Sequence, residues 1–177
     1  AAQDGTTVTY SGITRTADTI NAGGHVEFTS SSNFSISSNK PIAVAQFMMG
    51  QNYFSGATTG DPAMMLLVPM EQYRKSYSFT VPSSMTNNFV NIIKPVAQTG
   101  KNAPVIYFDG VAIAESNFST AIGTSYHGVY RRNISASPYN HTITSSQPFG
   151  ILVYGHAEYT SYMYPGGLDL NIINIVE

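Results

Sequence analysis

Alternation between apolar and polar residues is the clearest pattern in this chain. In the segment SYSFTVP, Tyr77, Phe79 and Val81 alternate with hydroxyl-bearing residues. Successive side chains of a strand face opposite ways, so the apolar residues share one side. The segment HVEFTS follows the same pattern, with Val26 and Phe28 opposite His25 and Glu27. Both segments are therefore predicted to be strands with one buried face.

Several other segments are apolar on both faces. PIAVAQFMM (41–49) is interrupted only by Gln46, and AMMLLVP (63–69) and PFGILVYG (148–155) have a similar composition. Continuous apolar runs of this length predict strands buried between layers. Further strands are predicted at FVNIIKP (89–95) and LDLNIINIV (168–176).

Turn chemistry separates these segments. Asp109 and Gly110 lie between two apolar runs, and this pair favours a type I′ hairpin because both central residues need a positive φ. One helical turn is predicted near 70–75, where Pro69 suits a helix start. TSSSNFSISSN (29–39) is predicted to be a loop or an edge strand. The chain is therefore expected to be a single all-β domain over residues 1–177, a β-sandwich or jelly-roll-like arrangement of antiparallel sheets with long loops and little helix.

The composition narrows the classes of function. The chain has 177 residues, a net charge of −2 and only 10% charged residues. No basic surplus is available to neutralise phosphates or anionic lipid, so neither nucleic acid nor direct membrane insertion is expected. Ser, Thr, Asn and Tyr take the place of charged residues, as in many extracellular β-proteins. With no cysteine and no transmembrane run in the sequence, we expect a secreted or cell-surface protein without disulfides.

Candidate catalytic and metal-binding residues are scattered. His25, His127, His141 and His156 show no metal-ligand spacing, and the Ser-x-x-Lys match at 37–40 lacks companion motifs. We expect no metal, no cofactor and no catalysis. A glycan-acting hydrolase is the less favoured alternative, because paired carboxylates can come from different strands. Its candidate acids are Asp61, Glu71, Asp109, Glu115, Glu158 and Asp169.

Tyrosine is concentrated near the carboxyl end, in YGHAEYTSYMYPGG (154–167). Its rings can stack on a ligand and its hydroxyls can form hydrogen bonds, although tyrosine also favours half-buried sheet positions. Tyr162 and Tyr164 are predicted to share one strand face, which Tyr159 and Met163 do not share. The residues predicted to contact a ligand are Tyr154, His156, Tyr159, Tyr162 and Tyr164. The residues predicted to form structural turns are Asp109, Gly110, Pro165, Gly166 and Gly167.

Five segments in order resemble the IgGFc-binding protein N-terminal domain family. They are KPIAVAQFMMG, GDPAMMLLVPMEQYRKSYSFTVP, NFVNIIKP, VIYFDGVAI and HTITSSQPFGILVYGHAEYTSYMYPGGLDL, and they cover residues 40–170. Residues 1–39 are expected to add a β segment to the same domain. The resemblance implies a bacterial, exported recognition or adhesion module without catalysis, whose partner is a surface glycan or protein of another cell or host.

An assembly role is the main alternative. A weakly charged, tyrosine-rich surface also suits contact between subunits, as in the head of an oligomeric surface fibre. In that case Tyr and Met side chains would be buried between identical chains of a dimer or trimer.

Overall fold

The computed structural model describes residues 1–53 and 59–170. These residues form antiparallel strands and three single turns of 3₁₀ helix, so the predicted all-β class is confirmed. The 3₁₀ turns are Gln51–Tyr53, Met70–Gln72 and Glu115–Asn117. The strands are β1 (Thr6–Ser11), β2 (Asp18–Ile20), β3 (Ser35–Ser38), β4 (Ala45–Met48), β5 (Ala63–Leu66), β6 (Arg74–Thr80), β7 (Asn87–Pro95), β8 (Ile106–Phe108), β9 (Val111–Ala112), β10 (His127–Ile134), β11 (Asn140–Ala157) and β12 (Thr160–Pro165).

The strands are arranged in three sheets. The largest has seven strands, in the order β10-β7-β11-β8-β9, and both β6 and β12 also pair with β11. The first half of β11 pairs with β6 and β8, and its second half pairs with β7 and β12. A change of register between Thr144 and Phe149 separates the two halves. A three-stranded sheet, β2-β1-β3, and a two-stranded ribbon, β4-β5, complete the topology.

The core lies against one face of the seven-stranded sheet. β7 alternates strictly between half-buried and buried residues, and β6 buries Tyr77 and Phe79, as its sequence predicts. These side chains pack together with apolar residues of β8 and β11, and burial of this surface is the main force that stabilises the fold. The fully buried core residues include Val81, Val90, Ile92, Ile106, Ile143, Phe149 and Val153.

One buried residue of β7 is charged. Lys94 is 1% exposed, and its ammonium group forms an ion pair with Glu115 and donates a 3.0 Å hydrogen bond to the carbonyl oxygen of Pro104. Nζ of Lys94 also lies 4.6 Å from the ring centroid of Phe118. These contacts compensate for removing the charge from water and join the 104–118 segment to β7.

The prediction of a strand at 25–30 is wrong. This segment pairs with no strand of the described residues, and its apolar residue Phe28 is held by side-chain contacts. The ring of Phe28 lies 5.2 Å from that of Tyr10 and 5.3 Å from that of Phe34, and the guanidinium of Arg15 lies 4.3 Å above it. This alternating segment is therefore a packed loop. Ring contacts of Phe28 hold it in place, and it lacks the backbone hydrogen bonds of a paired strand.

The strands predicted as buried at 41–49 and 63–69 are shorter and mostly exposed. They form only β4 and β5, which pair with each other, so one face of each strand meets solvent. Met65 is buried, whereas Phe47 is 62% exposed. In the strand predicted at 168–176, residues 168–170 have no strand structure, and the remainder lies outside the described residues.

The turns predicted at 109–110 and near 70–75 are both present, and the low-complexity segment contains a strand. Asp109 and Gly110 join β8 and β9 with φ values of 48° and 80°, which confirms the hairpin. The predicted helical turn is a 3₁₀ turn that ends at Gln72, because β6 begins at Arg74. Part of the serine-rich segment forms β3, at the edge of the three-stranded sheet, as one of the two predictions has it.

Candidate binding site at the tip of the last hairpin

The hairpin of β11 and β12 presents one tyrosine at its tip. Ala157 pairs with Thr160, so only Glu158 and Tyr159 form the turn. Tyr159 adopts a left-handed backbone with a φ of 49°, a conformation that non-glycine residues rarely adopt. The residue is 70% exposed. Strand pairing on both sides therefore fixes the backbone of the turn that presents this tyrosine to solvent.

A pocket of about 340 Å³ lies beside this ring. The 59–62 segment that forms one of its walls is attached to the hairpin by two backbone donors. The amide of Gly60 donates a 2.8 Å hydrogen bond to the carbonyl oxygen of Ala157, and the amide of Asp61 donates a 2.8 Å hydrogen bond to Oγ of Ser161. Among the residues that line the pocket, those with rings or polar side chains are Gln51, Asn52, Tyr53, Asp61, Pro62 and Tyr159.

The chemistry of this pocket combines apolar rings with neutral and acidic hydrogen-bonding groups. Tyr53, from the first 3₁₀ turn, is 61% exposed, and Asp61 is also exposed. Oε1 of Gln51 is buried and has no hydrogen-bond partner among the described residues. Rings that stack and side chains that donate or accept hydrogen bonds are the groups that bind sugars and peptide backbones.

Tyr162 and Tyr164 face the core side of the sheet, as their pairing with Gly155 and Val153 requires. Their rings stack at 5.9 Å. The hydroxyl of Tyr162 donates a 2.7 Å hydrogen bond to Oδ1 of Asn88, and that of Tyr164 donates to the carbonyl oxygen of Thr80. Burial raises the pKa of both phenols above its ordinary value. The two tyrosines share a face as predicted, but that face packs against the core.

Gly155 makes room for the ring of Tyr162. A Cβ at this position would lie 2.6 Å from a ring carbon of Tyr162 and 2.6 Å from the carbonyl oxygen of Asn87. No side chain larger than hydrogen fits at these distances, so the glycine allows the tyrosine ring to lie flat across the neighbouring strand. Gly155 is therefore required for the packing of Tyr162 against the sheet.

Tyr154 and His156 lie on the opposite face of the sheet, where the ring of Phe89 from β7 contacts both of them. The ring of Phe89 stacks on Tyr154 at 5.2 Å and on His156 at 5.8 Å. All three side chains are half-buried, and Nδ1 of His156 is buried with no hydrogen-bond partner in the described part of the chain. Burial raises the pKa of Tyr154, against the opposing effect of Arg131. The structure thus divides the five predicted residues into a core-side pair, an outer-face pair and Tyr159 at the tip.

The predicted turn at Pro165, Gly166 and Gly167 closes the end of this sheet. Pro165 is the last residue of β12 and pairs with Leu152. The amide of Gly166 donates a 3.2 Å hydrogen bond to the carbonyl oxygen of Ile151, and a Cβ on Gly166 would overlap the Ile151 side chain at 2.1 Å. Gly167 has a φ of 134°, which side-chain-bearing residues avoid.

Asp109 also contacts His141, and the sequence did not predict this pair. Its Oδ2 lies 2.7 Å from Nδ1 of the buried His141, and its Oδ1 accepts a 2.8 Å hydrogen bond from the amide of Thr142. Desolvation tends to raise the pKa of Asp109, but the hydrogen bonds from His141 and Thr142 outweigh it, so the pKa lies below its ordinary value. No sequence spacing announces this pair, because 32 positions separate its members.

The remaining candidate acids and histidines are dispersed. Glu115 is held by Lys94, and Nδ1 of His127 lies 2.6 Å from the carbonyl oxygen of Ser125. Within residues 1–53 and 59–170, no three His, Asp or Glu side chains converge as a metal site would require. The same residues contain no helix that is long and apolar enough to cross a membrane.

Comparison with known proteins identifies the family. The family model described as IgGFc binding protein matches residues 1–155, which is most of the chain. The protein therefore belongs to this family, and the predicted resemblance is confirmed over residues 40–155, while residues 156–170 lie outside the match. The match also includes residues 1–39, which lie outside the segments that carried the resemblance in the sequence. No curated protein and no solved structure matches the chain.

Proposed function

We propose that this chain is a non-catalytic recognition module of an exported protein. It binds a protein or glycan on the surface of another cell through the tip of the β11–β12 hairpin and the adjoining pocket. Tyr159 is the central contact, and Gln51, Asn52, Tyr53 and Asp61 supply the surrounding polar and aromatic groups.

The exposure of Tyr159 carries this proposal. Tyr159 is 70% exposed in a two-residue turn, beside a pocket of about 340 Å³. Tyr162 and Tyr164, in contrast, use their hydroxyls inside the fold. An aromatic ring whose backbone is fixed before binding loses little conformational freedom when a ligand stacks on it.

The family description supports a protein ligand. It names IgG Fc binding, so the Fc fragment is the first protein to test. The pocket groups suit a glycan equally well, because sugars offer apolar faces for rings and hydroxyls for amides and carboxylates. With a net charge of −2, binding would rest on stacking and short-range hydrogen bonds and would depend weakly on salt.

The other predicted contacts take different roles in this proposal. Tyr154 and His156, together with Phe89, form the flanking outer face of the sheet, and Tyr162 and Tyr164 support the hairpin from the core side. The absence of catalysis is proposed because two of the candidate acids, Asp109 and Glu115, are engaged by basic side chains of the fold. The low charge and the lack of cysteine favour an extracellular location without disulfides.

The test is a binding screen with wild-type protein and Tyr159→Ala side by side. Each is applied to a glycan array and to immobilised Fc fragment. We expect binding by the wild type to at least one of these probes, and loss of that binding in Tyr159→Ala. The proposal is wrong if the variant binds as well as the wild type, or if the wild type binds neither probe class.

A further inference from the structure

Among the described residues that line the pocket beside Tyr159, Asp61 alone is charged. The sequence of residues 54–58, FSGAT, contains no charged residue either. Asp61 is exposed and forms no ion pair within the described part of the chain, whereas Asp18 and Glu115 each pair with a basic side chain. A cationic ligand would therefore find its counter-charge in this pocket, and an anionic ligand would meet an unpaired negative charge.

The backbone donors around this carboxylate are already used inside the protein. The amides of Gly60 and Asp61 donate to oxygens of the last hairpin, and that of Tyr53 donates to a nearby carbonyl oxygen. Pro62 has no N–H. Oε1 of Gln51, in contrast, is a buried acceptor without a hydrogen-bond partner among the described residues. The pocket therefore offers acceptor oxygens and few backbone donors, which suits a ligand group that donates hydrogen bonds.

Two exposed tyrosines add aromatic rings to the same pocket. Tyr53 is 61% exposed and Tyr159 is 70% exposed, and both line it. The face of an aromatic ring is negative, so it attracts a cation that lies within about 6 Å of the ring centroid. The hydrogen bond from the amide of Asp61 to Ser161 attaches the charged residue to the hairpin that carries Tyr159. The pocket thus combines a carboxylate with two rings, and all three groups attract positive charge.

We infer that this pocket binds a primary ammonium group of the ligand. An ammonium group donates three hydrogen bonds and accepts none, so it can pair with Asp61 and supply the donor that Oε1 of Gln51 lacks. A hydroxyl donates only one hydrogen bond and forms no ion pair. The inference rests on the proposed function, because it names the chemical group that the same pocket recognises. Lysine side chains of a protein and amino sugars of a glycan both carry this group.

The experiment compares pairs of probes that differ in the ammonium group. Oligomers of glucosamine and of N-acetylglucosamine form the glycan pair, and Fc fragment before and after acetylation of its lysines forms the protein pair. We expect the wild type to bind the ammonium-bearing member of at least one pair about tenfold or more tightly. The pair that shows this preference identifies the source of the group. Equal binding of both members in each pair would overturn the inference.

Asp61→Asn keeps the shape of the side chain, removes its charge and should abolish the preference. Glu158→Gln is the matched control, because Glu158 is an exposed carboxylate next to Tyr159 that does not line the pocket. This variant should keep the preference, and thermal melting shows that both variants are folded.

The ammonium inference and the proposed function fail in different ways. If Tyr159→Ala loses binding but folded Asp61→Asn keeps the wild-type preference, the inference is wrong and the proposed function stands. If the wild type binds no probe, or Tyr159→Ala binds as well as the wild type, the proposed function is wrong and the inference falls with it.

Discussion

The hydroxyl of Tyr162 donates a 2.7 Å hydrogen bond to Oδ1 of Asn88, a residue that is only 2% exposed. This bond links the last hairpin to β7 across the core side of the sheet. It places Tyr162 among the residues that hold the fold, although the sequence also allowed a role in ligand contact.

Tyr162→Phe removes this bond and leaves a buried acceptor without its donor. We expect the free energy of unfolding to fall by about 1–2 kcal/mol, the cost of an unsatisfied buried polar group. Urea denaturation measures the change. Tyr159→Phe is the control, since its side chain is exposed at the turn and its hydroxyl should add little to stability. Equal stability of Tyr162→Phe and wild type would show that the bond contributes nothing.

Gly155→Ala tests the packing of the Tyr162 ring on the neighbouring strand. The added methyl group would meet both the ring and the carbonyl oxygen of Asn87 at 2.6 Å. Because the backbone must shift to relieve this overlap, we expect destabilisation of about 1–3 kcal/mol, typical of overpacking. Thermal melting is the measurement, and Glu158→Ala in the exposed turn is the control. An unchanged melting temperature for the Gly155→Ala variant would refute this close packing.

The Asp109–His141 pair predicts a dependence of stability on pH. The pKa of Asp109 is lowered in the folded state, so its carboxylate stabilises the fold above the ordinary value of 3.8. That contribution is lost as the pH falls through the folded-state pKa. We expect Asp109→Asn to be less stable than wild type by about 1 kcal/mol at neutral pH, since solvent screens this partly exposed group.

Denaturation of both proteins between pH 7 and acidic pH provides the test. The difference between wild type and Asp109→Asn should shrink as the pH falls below the ordinary carboxyl pKa of 3.8. A difference that grows as the pH falls below that value would have the wrong sign for a carboxylate with a lowered pKa.

Substitutions of Glu115 and of Lys94 should lower the free energy of unfolding by different amounts, because Lys94 is buried and Glu115 is exposed. Glu115→Ala removes the ion pair and leaves the buried ammonium group with its contacts to Pro104 and Phe118. Since Glu115 itself is exposed, we expect a loss of about 1–2 kcal/mol, below the cost of breaking a fully buried pair. Lys94→Met, which removes the charge and keeps the apolar stem, should cost less. Chemical denaturation compares the two, and the opposite ranking would contradict this account of the buried lysine.

Sequence patterns correctly predicted those parts of the fold that depend on residues close together in the sequence. The Asp109–Gly110 hairpin follows from the φ preferences of two adjacent positions, and the buried side of β6 follows from alternation. HVEFTS alternates equally well, yet it forms no strand, because Phe28 finds ring partners in place of a paired backbone. Alternation reports which side chains are buried and does not specify how their backbone is paired.

The candidate site depends on contacts that no local pattern encodes. Asp61 meets Ser161 across 100 positions of sequence, which brings the 59–62 segment beside Tyr159. Alternation in the tyrosine-rich segment places Tyr159 on a different face from Tyr162, but it does not show which of the two rings faces the core, because the pairing of β12 with β11 decides that. The apolar content of 41–49 and 63–69 also gave no indication that the ribbon would be exposed.

The most direct test of the central claim compares two exposed tyrosines. Tyr159→Ala removes the ring beside the pocket, and Tyr139→Ala removes a ring that is 53% exposed in the connection between β10 and β11. Each variant is titrated against the array glycan or Fc fragment that the wild type binds best. We expect Tyr159→Ala to weaken binding about tenfold or more and Tyr139→Ala to leave the affinity unchanged. Equal affinities for wild type and Tyr159→Ala would contradict recognition through the hairpin tip.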